Sequence, residues 1–208
     1  MTHKISKGIT AFLLRKNKIT EADFEVCEYG YSIIIGETFQ TIILILIGLF
    51  LNRIWETITY LLVFISVRRY AGGFHASKRI YCVILTTILY LIAIFLTDFL
   101  LGLSKENIKM IITVLIVIST ALIIAFAPVS VPWKSKLPNS DAINKRRAAI
   151  YSIIYSIIAI AAFDYLSNIS MIISLAFAEI LLMIIVELTY RRMPFRAARG
   201  HSISHKGE

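Results

Sequence analysis

One histidine and one cysteine sit near the middle of the chain, in the run Arg68-Arg69-Tyr70-Ala71-Gly72-Gly73-Phe74-His75-Ala76-Ser77-Lys78-Arg79-Ile80-Tyr81-Cys82. His75 is the one histidine away from the termini, and Cys82 opens a long apolar run. A spacing of seven places both side chains on one face of a helix, roughly 10 Å apart along its axis. A straight helix therefore keeps thiol and imidazole out of contact. Gly72-Gly73 lets the backbone leave the helix, so that a turn can fold His75 back over the start of the next one. There the imidazole can take the thiol proton and later protonate a leaving amine. Basic neighbours and the free amides of a helix start stabilise a thiolate. From spacing alone the plainer reading comes first: Cys82 as a small packing residue and His75 as an interfacial polar one.

If the pair is chemical, it suits acyl transfer. The thiolate attacks a carbonyl, an acyl-enzyme forms, and a second nucleophile resolves it. Backbone N–H groups near Gly72 and Gly73 and at the helix start could hold the oxyanion. Arg68, Arg69, Lys78 and Arg79 could attract an acidic substrate segment, although cytoplasmic charge placement explains them as well. Glu37, Glu28 and Ser66 are candidate partners for the imidazole, and Glu37 is also a candidate substrate contact. No metal or cofactor is expected. There is no Gly-rich phosphate loop, and His201 and His205, spaced i, i+4 in a polar tail, lack a third ligand.

The elements that would position this run are membrane helices. With 58% hydrophobic and 17% charged residues and a mean hydropathy of +0.77, the chain is not a soluble domain. Its composition predicts an all-α polytopic membrane protein of about six transmembrane helices, near 31–51, 54–67, 80–101, 108–127, 148–166 and 169–188. The first 30 residues hold no apolar core of signal-peptide length. Residues 1–18 read as a basic amphipathic helix on an anionic membrane surface or as an ordinary basic arm. Thr20 with Asp23 predicts a capping box that starts the helix entering the first span. Asn52-Arg53 is a minimal turn, 129–147 a polar loop, and 193–208 a mobile tail. Cys27, among Glu21, Asp23, Glu25 and Glu28, reads as a spectator. The whole of 1–208 is expected to be one integral membrane domain, with 68–82 as catalytic loop and helix start.

Charge placement sets the topology. The N-terminal segment, the His75 loop, the segment after the fourth span and the tail hold 19 of the 22 Lys and Arg residues. The opposite turns hold only Arg53, Lys105 and Lys109. Both termini and the His75 loop are therefore expected in the cytoplasm. The net charge of +9 thus points to membrane topology rather than to nucleic acid.

The run from Arg69 through Tyr70-Ala71-Gly72-Gly73-Phe74-His75-Ala76 to Cys82 resembles the central signature of the accessory gene regulator B family, bacterial membrane cysteine peptidases that process a quorum-sensing propeptide. Glu28-Tyr29-Gly30 and Ala127-Pro128-Val129 echo it too, so the resemblance covers nearly the whole chain. It implies that His75 is the general base and acid and Cys82 the nucleophile. It also implies that the C-terminal part of a small amphipathic propeptide is removed, and that a side chain of the peptide closes a thiolactone or lactone. The chain departs from the family pattern after Pro128, where Ser130-Val131-Pro132-Trp133 stands in place of a more acidic run. That departure puts the cognate substrate in question. The expected partners are the propeptide and the lipid bilayer of the bacterial cell membrane, with homodimerisation left open and no nucleic acid. Two other classes stay in view: a non-catalytic membrane scaffold or peptide-export factor, and a small-molecule transporter suggested by Glu37, Asp164 and Glu179. The spans lack the paired Gly/Pro-interrupted segments that usually mark a transporter site.

Overall fold

A computed structural model describes residues 2–73, 79–129 and 140–192. These form seven α-helices and one 3-10 turn, with no strand among the described residues. The helices are α1 (Thr2–Arg15), α2 (Phe24–Phe50), α3 (Ile54–Ala71), α4 (Arg79–Leu100), α5 (Lys105–Phe126), α6 (Ser140–Ala162) and α7 (Ser167–Arg192). Each of the six expected spans overlaps one helix, α2 to α7, although the expected 148–166 runs four residues past the end of α6. Four segments are long and apolar enough to cross a membrane: Glu21–Phe50, Ile80–Leu100, Lys105–Phe126 and Ser167–Thr189. Helices α3 and α6 differ from these by the charges near their ends, Glu56, Arg68 and Arg69 in one and Asp141 with Lys145–Arg147 in the other. The chain divides into two compact units, 1–54 and 55–208.

In the first unit, α1 packs on α2 through small polar residues. Ser6 and Thr10 are buried, and the Thr10 hydroxyl donates to the Ser6 carbonyl at 2.9 Å. The apolar stripe Ile5, Ile9 and Phe12 stays exposed, as suits a helix lying against a membrane surface. Asn17, at φ 51°, closes α1 with paired bonds from Lys18 N–H to Leu13 C=O and from Asn17 N–H to Leu14 C=O, each 3.0 Å. The expected cap follows. The Asp23 carboxylate accepts the Thr20 N–H at 3.4 Å and the Thr20 hydroxyl at 2.6 Å, and the turn Glu21–Asp23 leads into α2. Asn52 ends α2 at φ 54° in the same left-handed way, which makes the short turn at Asn52-Arg53.

In the second unit, α7 is the central element and packs against α4, α5 and α6. Residues 170–177 are buried without a break. Ser170, Ser174 and Ala176 let neighbouring backbones come close, which is how helices associate where no hydrophobic drive between them exists. Helix α3 joins this core through side chains. Tyr60 donates to Glu179 Oε2 at 2.6 Å, Thr57 and Tyr90 share a 2.6 Å hydrogen bond, and Asn168 donates to Glu56 at 3.5 Å. The Tyr60 ring lies edge-on to Tyr90, with centroids 5.2 Å apart. Thr120 and Ser156 link α5 to α6 at 2.7 Å.

Two boundaries differ from expectation. Arg68–Ala71 continue α3, so the expected loop begins at Gly72 and not at Arg68. Lys145, Arg146 and Arg147 lie inside α6, not in a loop. In both cases the helix runs past its apolar stretch, since Arg and Lys are good helix formers and reach water from the surface. The expected mobile tail, 193–208, lies outside the described residues.

Candidate functional site

Cys82 is the fourth residue of α4 and is half-buried, with a free thiol. Its register shows which way it points. Thr86, Tyr90, Ala93 and Thr97 follow it at helical spacing, and all four are buried. Ile80, Tyr81 and Ile84 around it are exposed. Cys82 therefore heads the inward face of α4, in the first turn, where backbone N–H groups have no partner within the helix.

The chain reaches α4 from the end of α3, and that end is held in place. Gly72 and Gly73 take φ values of 78° and 129°, which L side chains rarely adopt. The Val129 N–H donates to the Ala71 carbonyl at 2.9 Å, and Gly72 forms an isolated bridge with Val129. A Cβ at Gly72 would stand 2.5 Å from the Val129 carbonyl oxygen. At Gly73 it would lie 3.5 Å from Met183 Cβ of α7. The glycines thus let the exit of α3 run against the segment that follows α5 and against α7. The Gly72 N–H donates to Arg68 C=O at 2.9 Å, so it is engaged within the α3 terminus and is not turned to an oxyanion.

The cations expected to act together are divided by the structure. Arg68 is half-buried and directed at α7, its Nη1 on Met183 Sδ and its guanidinium 5.2 Å from the Phe64 ring centroid. Arg69, one residue on, is exposed and lies 6.0 Å from the Tyr70 ring centroid. His75 and Lys78 lie outside the described residues, as does the Arg79 side chain. Glu37 is exposed on α2, and Glu28 is half-buried there. The Ser66 hydroxyl bonds to the Leu62 carbonyl of its own helix and lies 3.2 Å from the Tyr155 hydroxyl.

Several residues around this site carried no readable signal in the sequence. Tyr60, Thr57 and Tyr90 tie α3 to α4 and α7, yet their partners are remote in sequence and appear only once the helices are rotated into place. Val129 was visible only as part of the Ala127-Pro128-Val129 echo. Its pairing with Ala71 explains why that motif and the double glycine occur together.

A model of the family described as accessory gene regulator B matches residues 6–186, from α1 to near the end of α7. No curated protein and no solved structure matches the chain. By that match, which takes in the double-glycine turn, Cys82 and the Val129 segment alike, the chain belongs to the accessory gene regulator B family.

Proposed function

We propose that this chain is a membrane-embedded cysteine endopeptidase that cleaves the C-terminal part of a small amphipathic quorum-sensing propeptide and promotes its cyclisation. Family membership suggests the quorum-sensing peptide pathway. The observation that carries the chemical reading is the placement of Cys82 at the head of the inward face of α4. Eight residues separate Cys82 from the held turn at Gly73, and His75 is one of them.

His75 takes the Cys82 thiol proton, and the thiolate adds to the scissile carbonyl. Collapse breaks the C–N bond, and His75 returns the proton to the departing amine. The N-terminal part of the peptide is then held as a thioester. A thiol or hydroxyl of that same peptide gives its proton to His75 and attacks the thioester. The ring closes as a thiolactone or lactone, and the Cys82 thiolate is released. The acyl group keeps its activation in the ring, which hydrolysis would discard. Within this reading α2 to α7 all cross the bacterial cell membrane, the termini and the site face the cytoplasm, and the chain acts as one domain. Lys78 and Arg79 meet the acidic part of the peptide.

A second reading is a scaffold or peptide-export factor with an idle thiol. It draws on the buried polar layer Glu56, Thr57, Tyr60, Tyr90 and Glu179 within the bundle. Co-expression of wild type, Cys82→Ala and His75→Ala with the cognate propeptide, followed by mass spectrometry, separates the two. Loss of C-terminal cleavage in both variants supports the peptidase. Unchanged processing by Cys82→Ala removes it.

A further inference from the structure

The α3–α6 face carries basic side chains above an exposed apolar surface. Tyr70 of α3 and Tyr151 of α6 stack with ring centroids 5.5 Å apart and planes 4° from parallel. Arg147 lies 5.5 Å from the Tyr70 centroid, and Arg69 approaches the same ring from its own helix at 6.0 Å. Both arginines are exposed. A second rung follows one turn further along, where the Tyr155 hydroxyl lies 3.2 Å from Ser66 Oγ and donates to the Leu62 carbonyl at 3.4 Å. Side chains thus bridge the two helices along this face.

Each arginine tops an apolar stripe of its own helix. Below Arg69 at helical spacing come Ile65 and Leu62, 42% and 58% exposed. Beyond Arg147 come Ile150 and Ile154, 44% and 45% exposed. Isoleucine and leucine left open on both helices read as acyl-chain surface. The paired tyrosine rings stand where the apolar stripe gives way to charge, the level at which aromatic residues concentrate in membrane proteins. Two guanidinium forks at that level match the geometry of a phosphate diester. Basic sites between helices at this depth suit anionic head groups.

We propose that the α3–α6 face is a binding site for an anionic phospholipid, its phosphate held by Arg69 and Arg147 and its acyl chains lying along Leu62, Ile65 and Ile154. The assignment rests on the membrane placement given above and not on the peptidase chemistry. It also gives the lipid a route to the site, since Tyr70 immediately precedes the Ala71-Gly72-Gly73 turn.

The test is lipid retention by the full-length protein, reconstituted in mixed phosphatidylcholine–phosphatidylglycerol vesicles, extracted gently and read by native mass spectrometry. Wild type keeps phosphatidylglycerol in preference to phosphatidylcholine. Arg69→Gln/Arg147→Gln lowers that preference by about twenty-five-fold, since each basic side chain at an anionic surface contributes about a fivefold factor. Lys105→Gln, exposed at the start of α5, leaves it unchanged. Arg69→Lys/Arg147→Lys keeps most of it, which separates lost charge from a misfolded double variant. Equal retention by the glutamine variant overturns the proposal. So does conversion of a dimer to a monomer in that variant, which would make the face a subunit contact. Loss of binding to an acidic peptide with lipid retention intact would also overturn it, in favour of a peptide site. The readout needs no processing activity, so a failed peptidase assay leaves it standing.

Discussion

The Val129 amide donates to the Ala71 carbonyl across 2.9 Å, binding the exit of α5 to the exit of α3. These two residues are 58 positions apart, yet their contact sets where the chain leaves α3, four positions before His75. The close approach is open only to glycine at position 72, where a Cβ would meet the Val129 carbonyl oxygen at 2.5 Å.

Gly72→Ala should therefore push the Val129 segment away and strain the turn. A loss of about 1–3 kcal/mol, the range for a residue forced into a sparsely populated backbone region, should appear in thermal unfolding in detergent, with a fall in propeptide processing. A variant with wild-type stability and processing would show that the turn tolerates a side chain, and that the Ala71–Val129 contact matters little.

Tyr60→Phe should leave the Glu179 carboxylate buried without its donor. Intrahelical-bundle hydrogen bonds in membranes contribute modestly, so the expected loss is about 1–2 kcal/mol. Glu179→Gln keeps an acceptor and should lose less. A double-mutant cycle measures the coupling, and strict additivity would mean that the 2.6 Å contact contributes nothing.

The neighbouring arginines should behave differently. Arg68→Gln removes a side chain set against Phe64 and Met183 and should lower the unfolding midpoint. Arg69→Gln, on the outer face, should leave it within about 0.5 kcal/mol of wild type. Equal effects in unfolding assays would contradict the inward placement of Arg68.

Of the two thiols only Cys82 should matter. Cys27→Ser should process propeptide as wild type does and should remain fully sensitive to N-ethylmaleimide. If that variant resists the reagent, the inhibitory site is Cys27 and the assignment of Cys82 fails.

The proposed six-span topology can be tested with cysteines introduced into a cysteine-free background. Lys105→Cys should react with a membrane-impermeant thiol reagent on intact cells, whereas Lys145→Cys should react only after permeabilisation. The same labelling pattern at both positions would rule out an odd number of crossings between Lys105 and Lys145.

Read alone, the sequence determined the features that depend on a few adjacent residues or on one helix at a time. Apolar runs placed the helices, four of them long and apolar enough to cross a membrane, because a helix crossing lipid must satisfy its backbone internally and cover itself with apolar side chains. Thr20 with Asp23 announced a helix start, and Asn52 a helix end, because those caps are made within a few residues. The spacing of His75 and Cys82, set beside the double glycine, drew attention to a stretch that the family match includes.

Only the tertiary structure decided what each face meets. Helices such as α3 and α7 have apolar side chains all round, so no stripe in the sequence marks the inward face. That Tyr60 meets Glu179, that Thr57 meets Tyr90, and that Arg68 turns inward while Arg69 turns out depend on how the helices are rotated against one another. The extent of α3 to Ala71 and of α6 from Ser140 was equally hidden. Charges at a membrane surface look like loop residues in sequence, and a helix continues through them whenever its end is held by packing.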